Sequence, residues 1–367
     1  MNFRKPDTMP GNLSVERLYK IASFHQVESI AYYGLEKTGM TIEKWEDIRD
    51  QGIMKSITQQ TELDNISKAL TSAKIRHITL KGSNLRYLYP QLNYRSMSDL
   101  DILIDSENAE QVRNILEEMD YTTISFGEHI HDVYQKEPFM NVEIHRKLFD
   151  YTTPEFNRVF DKAFDNVYEV QSIECGVLGR ENTEDKEAGA SADITYRFQL
   201  DIEHDLAYIL AHLAKHYRMG GTGIRSFLDL WVFLKRHRYD IDYPRLNRIL
   251  DEMDFRNEAY SYLNLSMVLF GSKPSNRIYD SMIAYIFRAG AYGSVAMKVE
   301  NDIRRSGRFI YFLRQLFPTV KDMKNTYPVL KKHLYLLPVC YIHRLTVGSI
   351  KGWGYTKRKL EGIFKRS

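Results

Sequence analysis

The chain has 367 residues and a formal net charge of +3, with 43% hydrophobic and 27% charged residues. This composition is typical of a soluble globular protein with a sizeable core, and its charge is too weak to indicate a nucleic-acid partner. The only two cysteines, Cys175 and Cys340, are too few for a disulfide framework or a zinc cluster. We expect both to be reduced thiols.

The N-terminal segment "MNFRKPDTMPGNLSVERLYK" has no continuous apolar stretch of the kind found in secretory signals. No later segment approaches the roughly 18 uncharged apolar residues that cross a membrane. We therefore predict a cytoplasmic protein.

Residues 1–73 are predicted to be a helical lead-in, because apolar residues from Ser14 to about Ala73 recur at helical spacing. The pattern then changes. The segment "IRHITL" is typical of a buried strand, Gly82 and Ser83 open a short helix that Pro90 ends, and "DLDILI" is a second strand.

A helix and a β-hairpin are expected after the second strand. Ser106 is the expected N-cap of the helix "ENAEQVRNILEEM", and the alternating segments "HDVYQK" and "NVEIHR" predict a hairpin joined through Pro138. We assign residues 74–180 to this core of strand, helix, strand, helix and hairpin.

The rest of the chain has a different character. Residues 181–193 are acidic, small and polar without an apolar face, which indicates a loop or linker. Residues 194–367 are predicted to form a mainly helical C-terminal domain that ends in a basic tail. Its clearest helices are "IEHDLAYILAHLAKHY" and "IRSFLDLWVFLKRH", separated by "RMGGTG".

Carboxylates in the core segments predict a metal site. Asp99 and Asp101 are two residues apart on a strand, so their side chains share a face. Glu143 and His145 share a face of a later strand in the same way. Because like charges held close together repel, a divalent cation offsets their cost, and Mg²⁺ prefers a few carboxylates completed by water and phosphate oxygens.

The turn before the first of these strands is a candidate phosphate site. Gly82 and Ser83, at a strand-to-helix turn, can bring backbone N–H groups close to a phosphate at a helix N-terminus. Lys81 and Arg95 could neutralise triphosphate charge, Arg95 especially, because its guanidinium group matches phosphate oxygens well. Both residue types are also common on ordinary surfaces.

The segments "LKGSNLRYLYP", "RSMSDLDILID", "VEIHRKL" and "GIRSFLDLWVFLKR" together resemble the DNA polymerase β nucleotidyltransferase superfamily. They are most similar to a bacterial family of uncharacterised nucleotidyltransferases often found near surface-polysaccharide genes. The resemblance covers most of the chain. The spacing from Ser83 to Asp99 is longer than in compact superfamily members and matches the narrower family better.

The resemblance implies an α+β fold, with a polymerase-β-like core on a mixed sheet between N-terminal and C-terminal helical regions. It implies that Gly82 and Ser83 hold the β- and γ-phosphates of a nucleoside triphosphate such as ATP. Asp99, Asp101 and Glu143 would hold one or two Mg²⁺ or Mn²⁺ ions. An acceptor hydroxyl near Glu143 would attack the α-phosphate and release pyrophosphate.

Other residues could line the nucleotide cleft: His145, His212, His216, Arg225 and Asp229. His145 could equally be a satisfied hairpin histidine. His212 and His216 are one helical turn apart, but "HLAKH" lacks the glutamate of the zinc-protease motif. Arg225 and Asp229 could be a plain helix ion pair. The sequence "GGTG" lacks the Gly-Lys-Ser/Thr ending of a phosphate loop and indicates a turn between helices.

Two other functions remain open at this point. An Asp-x-Asp motif also binds the metal of a nucleotide-sugar in glycosyltransferases, although the helical lead-in lacks the alternating strands and helices that those enzymes carry first. A catalytically silent nucleotide-binding or regulatory module could keep the fold, although the presence of all three carboxylates argues against it. The basic tail could contact an anionic surface or be a solvated terminus. The nucleotide and the hydroxyl acceptor, whether sugar, protein, RNA or small molecule, are not indicated.

Overall fold

The computed structural model describes residues 14–36, 43–169, 196–291, 293, 295–307, 309–311 and 317–351. The acidic linker expected at 181–193, Cys175 and the basic tail beyond 351 lie outside these ranges. The chain divides into two compact units, Met1–His212 with Arg225–Pro274, and Leu213–Ile224 with Ser275–Ser367. The domain boundaries at 73, 180 and 193 stay a prediction.

Three helices form the N-terminal region of the first unit: α1 Val15–Phe24, α2 Glu28–Glu36 and α3 Glu43–Ser72. The hydroxyl of Ser14 caps α1 by accepting a hydrogen bond from the backbone of Arg17 at 3.2 Å. The helical start expected from the sequence is therefore present.

A mixed sheet of seven strands, in the order β3-β4-β5-β2-β1-β7-β6, follows these helices. Its β1 is antiparallel to β2 and parallel to β7, while β2 is parallel to β5. This arrangement confirms the predicted α+β fold with a mixed sheet. The strands are β1 His77–Thr79, β2 Leu100–Ile104, β3 Thr122–Ser125, β4 His131–Lys136, β5 Met140–His145, β6 Val167–Glu169 and β7 Arg197–Leu200.

The alternation of side chains along β2 determines what each face of the sheet carries. Leu100, Ile102 and Ile104 are buried in one apolar cluster, which also contains residues of α3 and of α5, Ala109–Glu118. Asp101 belongs to the opposite face because successive strand residues point to opposite sides. The hydrophobic residues of β2 thereby fix the direction of its carboxylate.

The start of α5 differs from the sequence prediction. Ser106 does not cap an α-helix, because Ser106–Asn108 form one 3₁₀ turn and α5 begins at Ala109 without a side-chain cap. Three strands were not predicted from the sequence: β3 and β6, which lie at the two edges of the sheet, and β7, which lies beside β1. Short strands leave too few alternating residues for a pattern to appear.

The remaining helices comprise two short ones between strands of the sheet and, from residue 202 onward, those of the helical C-terminal region expected from the sequence. They are α4 Gly82–Leu85, α6 Pro154–Phe160, α7 Ile202–Met219, α8 Ile224–His237, α9 Tyr243–Glu252, α10 Arg256–Phe270, α11 Arg277–Ala289, α12 Val295–Ser306, α13 Val320–Thr326 and α14 Leu337–Lys351. Cys340 is a buried free thiol. Within the described ranges, no helix combines the length and apolar character that crossing a membrane requires.

Candidate active site

Two neighbouring strands place acidic side chains side by side. Asp101 of β2 and Glu143 of β5 are direct partners in the parallel register, and Leu103 is the partner of His145. On the other side of β5, His131 of β4 lies directly opposite His145. Direct cross-strand partners share a face of the sheet, so Asp101, Glu143, His145 and His131 form one polar group on it.

Asp101 is buried and heavily hydrogen-bonded. Its Oδ1 accepts from Lys81 Nζ at 2.9 Å and lies 2.8 Å from His145 Nε2. Burial disfavours the carboxylate, but Lys81 and His145 together outweigh it and lower the pKa of Asp101. Burial likewise opposes the charge of Lys81, and Asp101 raises the pKa of that ammonium group. Both groups are therefore ionised at neutral pH.

Asp99 differs from Asp101 although it lies only two residues earlier, immediately before β2. Burial and the charge of Asp101 raise the pKa of Asp99 to about 6. Lys81 and Arg225 act in the opposite direction but do not cancel the effect. A carboxylate whose charge is unfavourable without a cation is a candidate ligand for one.

The donor set fits Mg²⁺. Asp99, Asp101 and Glu143 offer carboxylate oxygens, which are the ligands that hard cations prefer. Both hydrogen bonds to Asp101 go to Oδ1, and among the described residues Oδ2 accepts none. The imidazole of His145 lowers the pKa of Glu143, so that carboxylate is also ionised at neutral pH.

The turn between β1 and α4 places Lys81, Gly82 and Ser83 next to these carboxylates. Lys81 has a positive φ of 45°, which is uncommon for a residue other than glycine, and its ammonium group lies 2.9 Å from Asp101 Oδ1. The N–H of Ser83 already donates to the carbonyl of Leu80 at 3.2 Å, while the buried Ser83 hydroxyl has no partner among the described residues. The Ser83 hydroxyl remains as a donor at this turn, together with the N–H groups of Lys81 and Gly82, which donate to no other backbone group among the described residues.

The helix after this turn contributes less to anion binding than the sequence suggested. It has only four residues, Gly82–Leu85, before a 3₁₀ turn at Arg86–Leu88. One turn of helix aligns few peptide dipoles, so its N-terminus attracts an anion only weakly. Side chains must therefore supply most of the positive charge near the turn.

Arg95 supplies such a charge. Its Nε and Nη2 donate to the two oxygens of Asp229 at 2.8 and 2.9 Å, and the Tyr89 hydroxyl donates to Asp229 Oδ1 at 2.7 Å. A Cβ atom added to Gly82 would overlap with Arg95 Nη1. Glycine at position 82 therefore lets the guanidinium lie directly against the turn.

Three further residues were predicted to line the nucleotide cleft: Arg225, His212 and His216. Arg225 Nη1 donates to Gln26 Oε1 at 2.5 Å and to the carbonyl of Ser96 at 3.3 Å, and its charge reaches Asp99. His212 and His216 lie one turn apart on α7, and within the described ranges no third metal-binding side chain joins them.

The "GGTG" segment connects α7 and α8. Gly221 has a φ of +100°, and a Cβ there would lie 2.5 Å from the Cβ of Ala289. Backbone conformation and close packing account for this glycine without a phosphate.

Sequence reasoning missed two residues of this site. His131 could have been found, because the hairpin register places it opposite His145. Tyr208 had no local signal: it lies on α7, more than a hundred residues from Lys81, yet the two groups interact electrostatically. Burial raises the pKa of the Tyr208 hydroxyl, so this group stays neutral at physiological pH.

Comparison with known proteins adds a family assignment. The model of a family described as uncharacterised nucleotidyltransferase matches residues 12–271, which is more than half of the chain and contains every site residue described above. No curated protein and no solved structure gives a significant match.

Proposed function

The chain belongs to this family of uncharacterised nucleotidyltransferases, and from that premise we propose that it transfers a nucleoside monophosphate from a nucleoside triphosphate to a hydroxyl acceptor. The observation that carries the proposal is the register of β2 and β5, which makes Asp101 and Glu143 direct neighbours. Asp99 lies two residues before Asp101 in the chain. Three carboxylates beside a Lys-Gly-Ser turn suit a metal-bound triphosphate.

Cationic and polar groups of the turn would bind the triphosphate. The Gly82 N–H and the Ser83 hydroxyl would donate to the terminal phosphates, and Arg95 Nη1 would add charge from the Gly82 side. Lys81 now pairs with Asp101 and could reach toward a phosphate once a cation neutralises that carboxylate. Each group would orient the α-phosphate for in-line attack.

The carboxylates would organise the reacting oxygens. Asp99, Asp101 and Glu143 would hold Mg²⁺ or Mn²⁺, which when bound stabilises charge on the entering and leaving oxygens. Glu143, ionised and on the same face as Asp101, would lie nearest the acceptor and could accept a hydrogen bond from its hydroxyl. His145 would hold Asp101 in position through the 2.8 Å contact.

The proposal is tested by following the label of the donor. Wild-type protein and Asp99→Asn/Asp101→Asn are incubated with Mg²⁺, a triphosphate labelled at the α- or the γ-phosphate, and separate pools of sugars, RNA and protein. We expect the wild type alone to move the α-label into one pool, while the γ-label appears in pyrophosphate. Transfer of the γ-label to an acceptor would contradict nucleotidyl transfer. Sugar transfer from a nucleotide-sugar would establish a glycosyltransferase instead.

A further inference from the structure

Two imidazoles converge on one carboxylate at the edge of the proposed active site. The Nε2 atoms of His145 and His131 lie 3.5 and 3.7 Å from the same oxygen, Glu143 Oε2. One ligand atom from each residue lies within 4.8 Å of the other two. These separations exceed an ordinary hydrogen bond, whose length is about 2.7 to 3.2 Å.

The separations match those around a bound ion. In a tetrahedral site with metal–ligand bonds of about 2.0 to 2.1 Å, neighbouring ligand atoms are about 3.4 Å apart. Strand pairing holds the three residues in place, because His131 opposes His145 and Val133 opposes Glu143 in the β4–β5 ladder. The ring centroids of His131 and His145 lie 5.0 Å apart, so both imidazoles lie beside the Glu143 carboxylate.

From this geometry we infer that His131, Glu143 and His145 form a binding site for a divalent transition-metal ion of the zinc class. Two imidazoles and one carboxylate are a donor set that favours Zn²⁺ and Co²⁺ over Mg²⁺, which prefers oxygen. Three protein ligands leave a fourth position open, as in catalytic zinc sites. This site shares Glu143 with the proposed Mg²⁺ site, but it goes beyond nucleotidyl transfer because it requires neither a nucleotide nor Asp99.

Exposure and charge suit this occupant. The side chains of His131 and Glu143 are 29% and 21% exposed, so an ion can reach them, whereas His145 is nearly buried. Glu143 carries the charge that attracts the cation.

The surroundings also set the strength of binding. Metal-bound histidines usually donate their second N–H to a protein acceptor, which strengthens coordination. The Nδ1 atoms of His131 and His145 are buried and have no hydrogen-bond partner among the described residues. The ion must also displace the contact between His145 Nε2 and Asp101. We therefore expect weaker binding than in a structural zinc site.

The inference is tested with full-length protein that carries no histidine tag and has been freed of metal by a chelator. Co²⁺ is titrated without nucleotide, and its visible absorption bands report coordination by nitrogen and oxygen ligands. The variants are His131→Gln, a second form His131→Asn, and the matched control His129→Gln, whose histidine is exposed two residues earlier. Unfolding temperatures without metal show that each variant is folded.

We expect saturable Co²⁺ bands in the wild type and His129→Gln, with competition by Zn²⁺ but not by equal Mg²⁺. Either His131 variant should weaken Co²⁺ binding by about tenfold or more. Asp99→Asn should retain the Co²⁺ bands even where nucleotide binding fails, which separates this inference from the proposed function. Unchanged affinity in both His131 variants, or a wild type without Co²⁺ bands, would overturn the site.

Discussion

Arg95 and Asp229 form a buried ion pair with two hydrogen bonds, although 134 residues separate them in the chain. Their side chains are only 9% and 7% exposed. Because Asp229 engages Nε and Nη2, it fixes the plane of the guanidinium and leaves Nη1 against Gly82. Helix α8 thereby determines the orientation of a cation at the candidate phosphate turn.

Breaking this pair should destabilise the protein strongly. Asp229→Asn leaves the buried Arg95 cation without its counterion, and such a loss costs about 3 to 5 kcal/mol. Arg95→Met should cost a similar amount, because it leaves the buried Asp229 carboxylate without a cation and with only the hydrogen bond from Tyr89. The double variant Arg95→Met/Asp229→Leu should lose less than the sum of the single variants, because it leaves no unpaired charge. Urea unfolding measures all of these free energies.

The exposed pair of Arg113 and Glu117 provides a matched control for that experiment. It lies on α5 at i,i+4, with side chains 38% and 42% exposed. Substituting either residue should change the free energy of unfolding far less than substituting Arg95 or Asp229, because solvent screens an exposed pair. If the Arg95 and Asp229 variants behave like the Arg113 and Glu117 variants, the buried pair does not organise the site.

Gly82 should tolerate no larger side chain. In Gly82→Ala the new Cβ would overlap with Arg95 Nη1 and lie 2.7 Å from Met97 Sδ, so one group must move. We expect a loss of about 1 to 3 kcal/mol of folding stability and weaker triphosphate binding. In Gly34→Ala, on α2, the Cβ would meet nothing within 4 Å. That control should gain about 0.5 to 1 kcal/mol, and equal effects at both positions would contradict the close approach of Arg95.

Lys81 should act as the internal counterion of the carboxylates. In Lys81→Met the buried Asp101 loses the ammonium group 2.9 Å away, so the metal-free variant should unfold at a lower temperature than the wild type. Mg²⁺ should then raise the unfolding temperature of the variant more than that of the wild type, because the ion replaces the missing charge. The exposed pair of Lys147 and Asp161 offers the control Lys147→Met, which should behave like the wild type. A variant insensitive to Mg²⁺ would contradict this role.

Asp99 should make stability depend on pH. Its pKa is about 6 in the folded protein against 3.8 for the unperturbed group, so its stabilising contribution is complete below pH 4 and is lost as the pH rises through 6. The amide that Asp99→Asn introduces does not titrate. The free energy of unfolding of the metal-free variant, relative to wild type, should therefore increase by about 2 to 3 kcal/mol between pH 4 and pH 8. A difference that stays constant with pH would contradict the raised pKa.

Local patterns predicted much of the fold but not every contact in the site. The alternation of apolar and acidic residues around Asp101 predicted both the strand and the direction of its carboxylate, because strand periodicity is a local property. The partner of Arg95 could not be predicted, since Asp229 comes close only when α8 packs in the first unit. Sequence spacing carries no information about such a distant contact.

His131 illustrates an intermediate case. The sequence predicted the hairpin, and a register in which Lys136 opposes Met140 places His131 opposite His145. The sequence therefore contained this pairing, but deriving it required the length of the turn between β4 and β5, which sets the register of the hairpin. The additional strand β7 was harder to predict from the sequence, because it follows an acidic segment and has only four residues.

The measurement that tests the central claim most directly is the thermal stabilisation of wild type and Asp99→Asn/Asp101→Asn by ATP, GTP, CTP and UTP, and by nucleotide-sugars, with and without Mg²⁺. A ligand that binds only the folded state stabilises it by about 2.7 kcal/mol at a hundredfold excess over Kd. We predict a Mg²⁺-dependent increase in Tm with at least one triphosphate, absent from the double variant. No increase with any triphosphate, or an equal increase in the double variant, would contradict a carboxylate-bound nucleotide site.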